Sequence, residues 1–82
     1  MAFKKEDTAA KVMSIIEEKL GKSRGSVTEQ DTFDSLGADS LDIVELIMSF
    51  EEEFGIAIKD EHIDQIKSVG NVVEYVHSMR TK

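Results

Sequence analysis

Residues 37–56 read GADSLDIVELIMSFEEEFGI, and the helix within them decides the fold. At 100° per residue, Ile43, Leu46, Ile47, Phe50 and Phe54 fall within about one third of the helical circumference. That stripe is a core face. Leu41, Val44 and Met48 fall on nearly the opposite side, at i, i+3, i+7 spacing. Glu45 and Glu52 share that side, with Asp42 and Glu51 at its margins. A helix that buries one face has no structural need of a second apolar stripe. Isolated exposed apolar residues are ordinary. An apolar stripe in register, rimmed by acids, has instead the layout of a docking surface, and Met adapts to varied partners. Asp39 caps free N–H groups at the start of the helix, Asp42 adds an acid to the first turn, and Gly55 stops it.

Helical spacing recurs on both sides of this stretch. Phe3, Ala9, Val12, Met13, Ile16 and Leu20 step by three and four, which predicts a helix over about 3–20 ending at Gly21. Residues 21–38 form a long connection rich in Gly, Ser, Thr and Asp, with Val27, Phe33 and Leu36 tethering it to the core. A short helix is expected within 60–66, around Ile63 and Ile66. A last helix begins near Ser68 to Asn71 and carries Val72, Val73, Val76 and Met79, with Val69 stapling its start. Ile56-Ala57-Ile58 is the one strand-like run and has no partner. The expected fold is all-α: a small antiparallel bundle of three main helices plus one short helix, forming a single domain over residues 1–82.

With 82 residues and no Cys, stability must come from packing, since neither a disulfide nor a Cys-based zinc site is possible. His62 and His77 are far apart in sequence and form no ligand cluster; no metal site is expected. The N-terminal stretch lacks the apolar core of a secretory signal, and no run is long enough to span a bilayer, so a cytoplasmic protein without membrane insertion is expected. Net charge is −7, and it is concentrated. Residues 31–64 hold eleven acids and one base, Lys59. Such a segment repels phosphate backbones, which argues against nucleic acid, and attracts partners with basic surfaces.

Ser40 stands where this acidic segment meets the start of the central helix. Its neighbourhood offers unpaired N–H groups and the positive helix end, which favour a bound phosphate. The docking stripe lies alongside. By itself the local sequence is better explained as a helix start. The larger pattern, DSLGADSLDIVELIMSFEEEFGIAI with GADSLD, VEL and EEEF in order, resembles the acyl carrier proteins of type II fatty acid synthesis over almost the whole chain.

That resemblance implies that Ser40 receives 4′-phosphopantetheine from coenzyme A through a separate Mg²⁺-dependent phosphopantetheinyl transferase (holo-carrier synthase), as a phosphodiester. Acyl groups would ride on the arm's terminal thiol as thioesters, and the chain would itself be no enzyme. It further implies that Asp39, Leu41, Asp42, Val44, Glu45, Met48, Glu51 and Glu52 meet basic docking patches on fatty acid synthesis enzymes. Phe33, Leu46, Phe50, Phe54, Ile58, Ile66 and Val76 would line a cavity for the acyl chain, and the protein would act as a monomer. Two positions depart from the common pattern: Lys59 stands where many relatives have Pro, and His62 where they have an acid. His62 is expected to be solvent-exposed.

Other functions fit less well. A carrier of the same fold for polyketide or aminoacyl transfer is the nearest alternative; the GADSLD context and the acidity favour fatty acids. An acidic divalent-cation-binding protein would need a calcium-loop motif, which is absent. A serine hydrolase would need a nearby His or a G-x-S-x-G elbow, and Ser40 has neither in sequence.

Overall fold

The computed structural model describes residues 4–80, with residue 60 described in its main chain only. Four helices follow in order: α1 (Lys5–Leu20), α2 (Ser40–Phe54), α3 (Asp60–Ile63) and α4 (Val69–Arg80). The expected start of the first helix at Phe3 lies outside the described residues. No strand forms among them; the main chain makes one isolated antiparallel bridge, between Thr32 and Ser68.

α1 packs against both α4 and α2. Val12 and Ile16 from α1, Leu46 and Phe50 from α2, and Val69, Val72, Val73 and Val76 from α4 form a fully buried centre. The two faces read from α2 are both present. Leu46, Ile47 and Phe50 are buried and Ile43 and Phe54 pack partly against the core, whereas Leu41, Val44 and Met48 remain 73%, 52% and 55% exposed. α1 and α2 both end on a left-handed glycine, Gly21 and Gly55, whose φ of +66° and +64° suits a residue without Cβ.

The connection between α1 and α2 is held by polar groups as much as by apolar ones. Val27 and Phe33 bury their side chains. Beneath them Glu17, itself buried, accepts the N–H groups of Gly25 (2.9 Å) and Val27 (3.2 Å). Further along, the main chain is stitched to the start of α4. Phe33 N–H donates to Lys67 C=O, Val69 N–H to Asp31 C=O and Gly70 N–H to Glu29 C=O. Gly70 suits this seam, because a Cβ there would stand a tight 3.1 Å from the Glu29 carbonyl oxygen. Ser68 Oγ caps Asn71 N–H while Asn71 Oδ1 accepts from Ser68 and Lys67, so the start of α4 is closed reciprocally.

The α2–α3 connection is pinned by Glu51, whose carboxylate accepts Ile58 N–H at 2.8 Å. Ile58 is buried. His62 is not simply exposed, as the sequence suggested. It is half-buried, its Nδ1 hydrogen-bonded to the Tyr75 hydroxyl at 2.8 Å with the rings edge to face. The pair ties α3 to α4, and the Tyr75 hydroxyl gives the half-buried imidazole a hydrogen-bond partner. At the far end, Arg80 donates to buried Thr8 Oγ1 (3.0 Å) and lies 5.0 Å from the Phe54 ring centroid.

Candidate functional site

The segment leading to Ser40 is a tight turn built on a buried aromatic. Thr32 and Ser35 cap each other's N–H groups. Leu36, Gly37 and Ala38 N–H then donate back to Thr32, Asp34 and Phe33 C=O. Gly37 takes φ +77°, a left-handed conformation that lets the chain reverse, and Ala38 is buried behind it. The chain leaves this turn extended at Asp39 and becomes helical at Ser40.

Asp39 and Asp42 form a full capping box. Asp42 N–H donates to Asp39 Oδ1 at 2.9 Å, and Asp39 N–H donates to Asp42 Oδ2 at 3.2 Å. The box leaves the N–H groups of Ser40 and Leu41 without an acceptor among the described residues. The Ser40 side chain is exposed and its hydroxyl makes no hydrogen bond to them either. The serine is therefore not the cap; its neighbour is. Its oxygen is free for chemistry at the positive end of a fifteen-residue helix.

Beside Ser40 lies a cleft of about 410 Å³ between α2 and the α3 region. It is lined by Ser40, Ile43 and Val44 from α2, by Ile63, Asp64, Ile66 and Lys67 from α3 and the segment after it, and by Thr32, Phe33 and Asp34 from the connection before α2. Ser40, Ile43 and Val44 belong to the seam between the two faces of α2, so the cleft runs from the serine between the core and the exposed stripe. A second hollow, bordered by Ile15, Glu18, Lys19, Ser49, Glu52 and Glu53, lies between α1 and α2, away from this chemistry.

The residues singled out from sequence distribute as follows. Asp39, Leu41, Val44, Glu45, Met48 and Glu52 are exposed on α2, and Asp42 is half-exposed through its role in the capping box. Glu51 is half-buried and already engaged with Ile58 N–H, so it faces the α2–α3 connection more than solvent. Of the residues expected to shelter an acyl chain, Phe33 and Ile66 border the cleft. Leu46, Phe50, Ile58 and Val76 are packed in the core, and Phe54 lies half-buried beneath Arg80. Ile43, Val44 and Ile63 border the cleft although spacing had placed the first in the core and the second on the docking stripe. No cluster of His, Cys, Asp or Glu with metal-ligating geometry occurs among the described residues. None of their helices is long and apolar enough to cross a membrane.

A small helical scaffold that offers one unpaired hydroxyl at a helix start, next to an apolar cleft and an exposed acidic stripe, defines a carrier domain. The comparisons with known proteins agree. Residues 10–76 match the family described as the phosphopantetheine attachment site. The acyl carrier protein of Thermotoga maritima is 48% identical over 73 residues, covering 88% of this chain and 90% of its own. A crystal structure of an acyl carrier protein from the same organism superposes with a TM-score of 0.77, at 39% identity over 90% of this chain and 87% of that one. An acyl carrier protein of Enterococcus faecalis superposes with a TM-score of 0.76, at 35% identity over 93% of this chain and 98% of its own. The chain belongs to the phosphopantetheine attachment-site family, and within it to the acyl carrier proteins. Its prosthetic group is covalent 4′-phosphopantetheine.

Proposed function

We propose that Ser40 Oγ is the attachment point of the 4′-phosphopantetheine arm and that residues 1–82 act as a single carrier domain for fatty acyl chains. The observation that carries this reading is the Ser40 hydroxyl itself, exposed and unpaired between two unsatisfied N–H groups, on the lip of the apolar cleft. A phosphodiester on that oxygen would meet the N–H groups of Ser40 and Leu41. When bound, the arm supplies the one thiol in a chain that has no Cys, and that thiol holds acyl groups as thioesters.

The chain's own residues hold, present and shelter. Phe33, Ile43, Val44, Ile63 and Ile66 offer an apolar surface to the cargo. Leu41, Val44 and Met48, with Asp39, Asp42, Glu45 and Glu52, offer an apolar strip with acidic flanks to enzymes bearing basic patches: the phosphopantetheinyl transferase first, then the enzymes of fatty acid synthesis. Glu51 contributes to this surface through its position in α2 while its carboxylate serves Ile58. No histidine lines the cleft beside Ser40, and we assign the reactivity of the loading step to the transferase, with the carrier as its substrate. We place it in the cytoplasm, acting as a monomer.

Intact mass tests the attachment. Incubation of the apo protein with coenzyme A and a phosphopantetheinyl transferase adds about 340 Da to wild type. Ser40→Ala gains nothing while its far-UV circular dichroism is unchanged. Modification of the alanine variant, or none of wild type, would overturn the assignment. The mass of the group loaded in cells distinguishes fatty acyl cargo from polyketide or aminoacyl cargo.

A further inference from the structure

We propose that Lys67 is the counter-charge for the phosphate of the arm, holding the arm across the cleft mouth; this rests on the attachment at Ser40. A group esterified to Ser40 brings a permanent negative charge into an acidic setting: Asp39 and Asp42 flank the serine in sequence and Asp34 and Asp64 line the same cleft. Repulsion from these carboxylates alone would push the arm toward open solvent. Lys67 is the one cation among the residues lining the cleft that Ser40 also lines.

Its main chain is held at both ends. Lys67 C=O accepts Phe33 N–H at 3.2 Å and Lys67 N–H donates to Asn71 Oδ1 at 3.2 Å. The side chain therefore projects from a fixed point at the rim. Among the described residues no carboxylate lies within ion-pair distance of its ammonium. An ammonium without a partner, set at the mouth of a cleft that receives a phosphodiester, gains charge-assisted hydrogen bonds to the phosphate oxygens when the arm is attached. The apolar wall of Ile63 and Ile66 continues on the same segment, so an arm drawn toward Lys67 is drawn along the surface that shelters its cargo.

The test uses the loaded protein. Wild type, Lys67→Gln, Lys67→Arg and Lys59→Gln are each converted to the holo form, and loading is verified by the mass gain. The ³¹P resonance of the phosphodiester is then recorded at low and high salt. At low salt the Lys67→Gln resonance is expected to depart from wild type. Lys67→Arg, which keeps the charge, and Lys59→Gln, which removes a charge elsewhere, stay with wild type. At high salt all four converge, since an exposed pair is screened. Octanoyl thioester cleavage by hydroxylamine should be about two- to fivefold faster in Lys67→Gln, the range open to an exposed ion pair. A wild type that gains no mass overturns the attachment reading and this one together. A loaded Lys67→Gln that matches wild type and Lys59→Gln in both the ³¹P shift and the cleavage rate overturns this one alone.

Discussion

The carboxylate of Glu17 reaches under the α1–α2 loop to accept N–H groups from Gly25 and Val27, and Val27 is itself buried. Removing it leaves both donors unmet, and a buried donor without a partner costs about 1–3 kcal/mol. Glu17→Ala is therefore expected to lower the free energy of unfolding by roughly 2–3 kcal/mol, and Glu17→Gln, which keeps one carbonyl oxygen, by less; chemical denaturation followed by circular dichroism measures both. Helical period places Glu17 beside the apolar stripe of α1 and Glu18 opposite it, but it does not say which main-chain groups an inward acid will meet. The same limit hid the His62–Tyr75 contact, which joins residues from separate helices. The role proposed for Ser40 came from a different signal. Its evidence was a motif and a local electrostatic setting, and both survive folding intact. Asp39 is the cap that the sequence indicated, and the structure added the return bond from Asp42, which closes the box without the Ser40 hydroxyl.

At the scale of the element, α2 was readable because helical period and burial are linked by geometry: two stripes in the sequence became one buried face and one exposed face. Substitutions on the exposed face should therefore leave the helix alone. Glu45→Lys and Met48→Ala are each expected to raise the KM for the phosphopantetheinyl transferase by about fivefold or more, with the far-UV spectrum unchanged. Wholesale unfolding of Met48→Ala would mean that the exposed stripe is structural. The cleft was less legible. Periodicity separates inside from outside but cannot show where two elements fail to close. Leu46, Phe50 and Val76 are buried in the core, and the opening beside Ser40 is bordered by residues of α2, of α3 with the segment after it, and of the connection before α2. The main-chain seam between residues 29–33 and 67–70 was likewise invisible, since backbone hydrogen bonds carry no side-chain signature.

The whole molecule keeps its negative charge in the segment that carries the site, while residues 1–30 and 65–82 are slightly basic. Encounter with the basic enzyme surfaces proposed above would thereby be oriented as well as accelerated. Raising salt from about 20 to about 200 mM, which shortens the screening length from roughly 20 Å to below 10 Å, is expected to raise the transferase KM while leaving kcat nearly unchanged. A KM that does not respond would mean that docking rests on the apolar strip alone. The seam that joins the first loop to the start of α4 gives the molecule a further property, one of timing. Ser40 is synthesised well before Val69 and Gly70, whose N–H groups hold the loop that delivers it. A growing chain that has reached the serine but not these residues exposes the motif without the turn that presents it. On the attachment proposed above, a chain armed only after release is one whose seam has already closed, and a chain armed during synthesis is not.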